Sequence, residues 1–270
     1  MISPNYWPHP PQGQDYRGTA PICYHESVIQ GATRKIFQTR VYGNSNQPVV
    51  FLLAGWLTKS WMYWLPATIL AGSGYCCIAY AYDYDVFSPD AKRTVESLQA
   101  ITNDVLAQID RLKKLGHQEY SIVSFSLGTM IACMVADRSA DVKKVVLMLT
   151  SNHPADAVWT WDKVRPAFKQ GLLARGLTLA SLRQMWDPIA PVNNLGNSKG
   201  KQYLVYLAAR DTTAPFENGM KLVNKIKQSG CECQLVVNRH GSHAQAGMYN
   251  LAHARTYRAF LATGEVSAAH

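Results

Sequence analysis

The sequence predicts an α/β fold: a mostly parallel, doubly wound sheet with helices on both faces and a small helical lid. Three observations carry this expectation. Short apolar runs of buried-strand type recur at residues 49–54, 75–82, 120–125, 143–149 and 202–208. Helical patterns alternate with them, clearest at 93–115, where Val95, Leu98, Ile101, Val105, Leu106, Ile109 and Leu112 recur at three- and four-residue intervals. Residues 152–195 then interrupt the alternation with apolar and aromatic residues spread over two or three short helices, the pattern of an insertion overhanging the end of the sheet.

The elements follow in order. Residues 23–31 and 34–42 read as two strands joined through Gly31-Ala32-Thr33, a hairpin. The strand at 49–54 stops at Gly55-Trp56, and a helix with several aromatic residues is expected over 60–71. The strand at 75–82 ends in Asp83-Tyr84-Asp85. Lys113 and Lys114 suit the C-terminal dipole of the long helix, and Gly116 ends it. After the strand at 202–208 come a helix over 215–229 closed by Gly230, a last strand at 233–237, a loop over 238–244 and a final helix over 248–261.

Length and composition bound the function classes. A chain of 270 residues with 47% hydrophobic and 17% charged residues is globular, one large domain over 22–264 with a proline-containing extended arm at 1–21 and a tail at 265–270. No apolar run reaches the ~18 residues needed to span a bilayer, and the first residues lack the basic start and apolar core of a signal peptide, so no stable membrane insertion and a cytoplasmic location are expected. Cys23, Cys76, Cys77, Cys133, Cys231 and Cys233 show no C-x-x-C spacing and read as free thiols in a reducing compartment. Cys231 and Cys233 are too few ligands for a metal, and none is expected. The net charge of +9 is distributed along the chain without a nucleic-acid motif, so it reads as a solvated basic surface and no nucleic-acid partner is expected.

The chemistry centres on Ser124-Phe125-Ser126-Leu127-Gly128. A serine at a strand-to-helix reversal has its Oγ lifted clear of the sheet, and the next N–H, at a helix N-terminus, points into the same space. A serine hydroxyl needs a base, usually a histidine held in one tautomer by a carboxylate. In an open parallel sheet such groups come from loops at the C-terminal strand ends. Asp211 follows one strand, although it also suits a helix cap; His240 and His243 follow the next. Asp156 and Asp187 are rival acids.

Ser126, Asp211 and His243, in that order and each after a different strand, resemble the α/β-hydrolase fold superfamily across almost the whole chain. The resemblance implies a serine hydrolase that cleaves a carboxylic ester or thioester through an acyl-serine, without a cofactor. It favours His243 over His240, because the histidine of this superfamily follows a glycine-containing turn and precedes a helix. It implies an oxyanion hole from the N–H groups of Leu127 and Trp56, with Gly55 letting the backbone approach. The chain departs from the superfamily's pattern at Ser124, where a glycine is usual, and at Ala54, where a histidine is usual. Gly55, Phe125 and Trp159 are the expected substrate contacts, and a small molecule with an apolar acyl group is the expected partner. Trp56, Trp61, Trp64, Trp159, Trp161 and Trp186 either line an acyl pocket or pack the core and lid. A lyase on the same fold, or a binding protein without turnover, are the alternatives.

Overall fold

A computed structural model describes residues 15–16, 23–58, 60–239 and 241–266. Of the arm expected over 1–21, only Asp15–Tyr16 (β1) is described; it pairs antiparallel with the strand Ala32–Asn44 (β3). The other strands are Cys23–Ile29 (β2), Val49–Leu53 (β4), Cys76–Tyr82 (β5), Tyr120–Phe125 (β6), Val142–Met148 (β7), Gln202–Ala208 (β8) and Glu232–Asn238 (β9). The sheet runs β1-β3-β5-β4-β6-β7-β8-β9, with β2 also on β3. Pairs from β5 to β9 are parallel; those involving β3 are antiparallel. The expected β2–β3 hairpin forms, its turn made by Gln30 and Gly31, both at positive φ.

β4, β5, β6, β7 and β8 are almost wholly buried, which is why they read as unbroken apolar runs. The helix Trp64–Gly72 (α1) links β4 to β5 in one direction along the sheet, and Ala91–Lys114 (α2) returns from β5 past β4 to β6. Right-handed crossovers in opposite directions place α1 and α2 on opposite faces. Gly128–Arg138 (α3) continues in the direction of α2 and packs beside it. The sheet therefore reverses its winding between β4 and β6, and the crevice beyond their C-terminal ends is where open α/β sheets place ligands.

Local chemistry sets the ends of these helices. Asp90 caps α2 by accepting from the Arg93 N–H at 3.0 Å, and Arg111, Lys113 and Lys114 occupy its last turn. The helix expected over 60–71 splits into a 3-10 turn, Ser60–Tyr63, and α1, which carries Pro66 in its first turn. The insertion holds Pro154–Trp159 (α4), Pro166–Leu173 (α5) and Leu179–Trp186 (α6), then two 3-10 turns before β8. Trp186 is fully buried and its Nε1–H donates to the Ala91 carbonyl at 3.1 Å, which ties the end of α6 to the start of α2. Phe216–Gln228 (α7) joins β8 to β9.

The final helix expected over 248–261 is instead two: His243–Ala252 (α8) and Arg255–Thr263 (α9). The start of α8 moves forward because Gln245 Oε1 accepts from the Ser242 N–H at 2.9 Å, half of a capping box. Cys76, Cys77, Cys133, Cys231 and Cys233 are free thiols. Among the described residues, no helix is long and apolar enough to cross a membrane.

Candidate active site

β6 ends at Phe125 and α3 begins at Gly128, so Ser126 and Leu127 make the whole reversal. Ser126 has φ +50°, a left-handed backbone that costs a residue with a Cβ roughly 1–3 kcal/mol. Three bonds hold it there. Its N–H donates to the Met148 carbonyl at 2.8 Å. Its carbonyl accepts from the Thr129 N–H at 2.9 Å and from Thr129 Oγ1 at 2.6 Å. A Cβ on Gly128 would stand 2.5 Å from the Ala54 carbonyl oxygen and closer still to that of Leu53, so the helix reaches β4 only with glycine there. Position 124 accepts serine because its hydroxyl, fully buried, donates to the Val146 carbonyl on β7 at 2.8 Å.

The ladders β6–β7–β8–β9 are in register to their C-terminal ends, where Phe125 pairs with Met148, Met148 with Tyr206 and Ala208 with Asn238. The residues just past those ends therefore meet at one edge. Asp211 Oδ2 lies 2.7 Å from His243 Nδ1, and His243 Nε2 lies 2.9 Å from Ser126 Oγ. The other Asp211 oxygen, Oδ1, accepts from the Thr213 and Ala214 N–H groups, both at 2.8 Å. These bonds close the turn ahead of α7, whose N-cap is Pro215 without a side-chain cap, so Asp211 is not the helix cap the sequence also suits; its two oxygens divide between that turn and His243. The Asp211 side chain is 1% exposed and that of His243 14%. A buried carboxylate on Nδ1 leaves Nε2 as the acceptor for the serine proton.

Phe125 and Gly55 hold this constellation from behind. The Phe125 ring fills the space beside two glycines: a Cβ on Gly55 would fall 2.6 Å from it, and one on Gly247 in α8 closer still. Its centroid is 5.6 Å from that of the His243 ring. The Gly55 N–H donates to the buried Tyr63 hydroxyl at 2.7 Å. Burial pushes the Tyr63 phenol above its usual pKa, so it stays a neutral acceptor. Tyr63 anchors the loop that lacks the superfamily's usual histidine at Ala54. Leu57, just beyond Trp56, has φ +65°. Among the described residues, the Trp56 and Leu127 N–H groups have no hydrogen-bond acceptor.

In front of Ser126 opens a pocket of about 670 Å³, its mouth included. Leu127, Met130, Leu149, Pro154, Val158 and Trp161 give it an apolar wall; Ser126, His243 and Arg165 are also on its lining. Gly55, Phe125 and Trp159, the expected substrate contacts, are not on that lining. Gly55 and Phe125 pack behind the loop and the histidine. Trp159, the last residue of α4, lies beside Lys169, whose ammonium is 5.4 Å from its ring centroid. Trp161 takes the place in the pocket, with its Nε1–H donating to the Thr213 carbonyl at 2.8 Å and its ring 6.3 Å from that of Trp56, almost coplanar in orientation at 4°.

The rival acids lie elsewhere. Asp156 Oδ1 pairs with Arg183 Nε at 2.6 Å, and Asp187 is bonded to Asn193 Nδ2 at 2.9 Å and His153 Nε2 at 3.3 Å. His240, the rival base, lies outside the described residues. Two contributors had no signature in the sequence: Tyr63, one aromatic among several, and Arg165, one of five lysines and arginines spread over residues 152–195.

A family model described as alpha/beta hydrolase fold matches residues 48–229. The acylaminoacyl peptidase of Pyrococcus horikoshii superposes with a TM-score of 0.63 at 12% identity, over 94% of this chain and 50% of the peptidase, so this chain spans half the length of that protein. A cold-adapted esterase from an Arctic intertidal metagenomic library gives a TM-score of 0.55 at 15% identity, over 88% of this chain and 92% of the esterase. The enol-lactonase of Burkholderia xenovorans LB400 gives 0.54 at 17%, over 88% and 98%. At such identities the likeness is one of fold. No curated protein matches the chain. The family match runs from the start of β4 to the end of α7, across the strands that position Ser126 and Asp211, and the chain belongs to the alpha/beta hydrolase fold family.

Proposed function

We propose that this protein is a serine hydrolase that cleaves a carboxylic ester or thioester through an acyl-serine intermediate. The observation that carries this reading is the unbroken chain of hydrogen bonds from Asp211 through His243 to Ser126, open to a largely apolar pocket. His243 Nε2 takes the Ser126 proton as Oγ attacks the carbonyl carbon. The N–H groups of Leu127 and Trp56, which lack other acceptors among the described residues, stabilise the oxyanion, and Asp211 stabilises the imidazolium. Collapse of the tetrahedral intermediate expels the alcohol or thiol, protonated by His243. Water, deprotonated by the same imidazole, then releases the acid and restores Ser126.

The pocket wall suits an acyl chain, and burial of each methylene of that chain contributes ~0.8 kcal/mol. A series of p-nitrophenyl esters of rising acyl length, assayed with the wild type and Ser126→Ala, tests this reading. Hydrolysis that rises with chain length and vanishes in Ser126→Ala is expected. Equal turnover by both proteins contradicts it. Turnover of another substrate without an acyl-serine would redirect the site to proton-transfer chemistry of the lyase kind.

A further inference from the structure

One residue of the pocket does not fit a purely apolar acyl group. Arg165, the residue before α5, is on the same lining as Ser126 and His243, and its guanidinium carbon stands 4.7 Å from the centre of the Trp56 ring. Its main-chain N–H is occupied, donating to the Trp161 carbonyl at 3.0 Å. Its side chain, among the described residues, has no carboxylate partner.

The acids of the insertion and the site are taken by others. Asp156 pairs with Arg183, Asp162 with Lys169 at 2.7 Å, and Asp187 with His153 and Asn193. Asp211 faces His243 and two backbone N–H groups. A guanidinium stacked over an aromatic face keeps its in-plane N–H groups free at the edge, in the fork that matches a carboxylate. Apolar walls around such a cation strengthen its field for a ligand that enters. Solvent-facing cations on this lid need no ligand, but Arg165 shares the lining with the reacting hydroxyl.

We propose that Arg165 is the anion-recognition residue of this pocket, and that the substrate is an ester carrying a second, ionised carboxylate. The apolar wall takes the chain between the two groups, and Arg165 takes the carboxylate while the ester carbonyl lies at Ser126. This proposal rests on the serine hydrolase reading for which group is cleaved, but binding of the anion does not require turnover.

The test uses the full chain bearing Ser126→Ala, titrated by calorimetry at low salt with the monomethyl and dimethyl esters of succinate, glutarate and adipate. Each pair differs by one charge, and the three diacids span different reaches. In at least one pair the monoanion is expected to bind about tenfold or more tightly than the neutral diester, the range of a charge-assisted hydrogen-bond pair. Adding Arg165→Met should abolish that preference while changing the affinity of the diester by less than about threefold. Adding Lys163→Met instead, at an exposed neighbour outside the pocket, should preserve it and so exclude the general positive charge. Equal affinities within every pair, no binding of either member, or a preference that survives Arg165→Met would overturn the assignment. Tight monoanion binding without hydrolysis by the wild type would sink the esterase reading and leave the assignment of Arg165 standing.

Discussion

The Tyr63 hydroxyl accepts the Gly55 N–H at 2.7 Å, and through that bond the 3-10 turn before α1 holds the loop that presents Trp56 to the site. Tyr63→Phe removes the acceptor and leaves a buried N–H without a partner, at a cost of about 1–3 kcal/mol. If the loop supplies an oxyanion donor, kcat should fall roughly tenfold or more with KM little changed, since the lost contact serves the transition state. Steady-state kinetics on a p-nitrophenyl ester, with a urea melt beside it, separates the two effects.

Asp211 is expected to matter through its charge more than its shape. Asp211→Asn keeps the size of the side chain but cannot hold His243 in the tautomer that leaves Nε2 free, and kcat should drop by about 10³–10⁴. Asp156→Asn should leave the rate within about twofold, because Asp156 pairs with Arg183 while His243 pairs with Asp211. The reverse ranking, measured on the same ester, would relocate the acid.

Gly128→Ala tests the close approach of α3 to β4. The added Cβ meets two backbone carbonyl oxygens, which cannot swing aside as a side chain can. A loss of about 1–3 kcal/mol or more in urea-induced unfolding is expected, with activity falling further because the shift passes directly to Ser126. A variant of wild-type stability and rate would mean that the reversal is looser than this geometry requires.

His153 links pH to the pocket wall. It caps α4 by accepting from the Ala155 N–H at Nδ1, 3.2 Å, and burial lowers its pKa from 6.5 against the opposing carboxylates of Asp156 and Asp187. The unfolded chain therefore takes up this proton first as pH falls. The stability contributed is fully present above 6.5 and is lost as pH drops from there through the folded pKa. His153→Asn, which caps without titrating, should flatten the dependence of the urea midpoint on pH in that window. An unchanged slope would assign the dependence to other groups.

Much of this architecture is legible in the sequence because the central strands are buried on both faces. β6 and β8 run over the residues expected from their apolar runs, and α2 shows its buried stripe as a periodicity. α8 escaped because its start is decided by a reciprocal contact between Ser242 and Gln245, while its first turn is small and polar. The choice between Trp159 and Trp161 was equally hidden. They stand two residues apart, and α4 ends at the first, so the turn beyond the helix aims the second into the pocket. Phe125 carried an expected contact to substrate, yet the missing side chains of Gly55 and Gly247 make room for its ring behind the site. That role depends on three segments far apart in the chain.

Labelling with a fluorophosphonate probe, followed by peptide mass mapping, tests the central claim most directly. The arrangement of Asp211, His243 and Ser126 predicts one adduct, on Ser126, absent from Ser126→Ala and much slower to form in His243→Ala. A folded protein that takes no label, or takes it at another serine of the pocket such as Ser151, would contradict the assignment of Ser126 as the nucleophile.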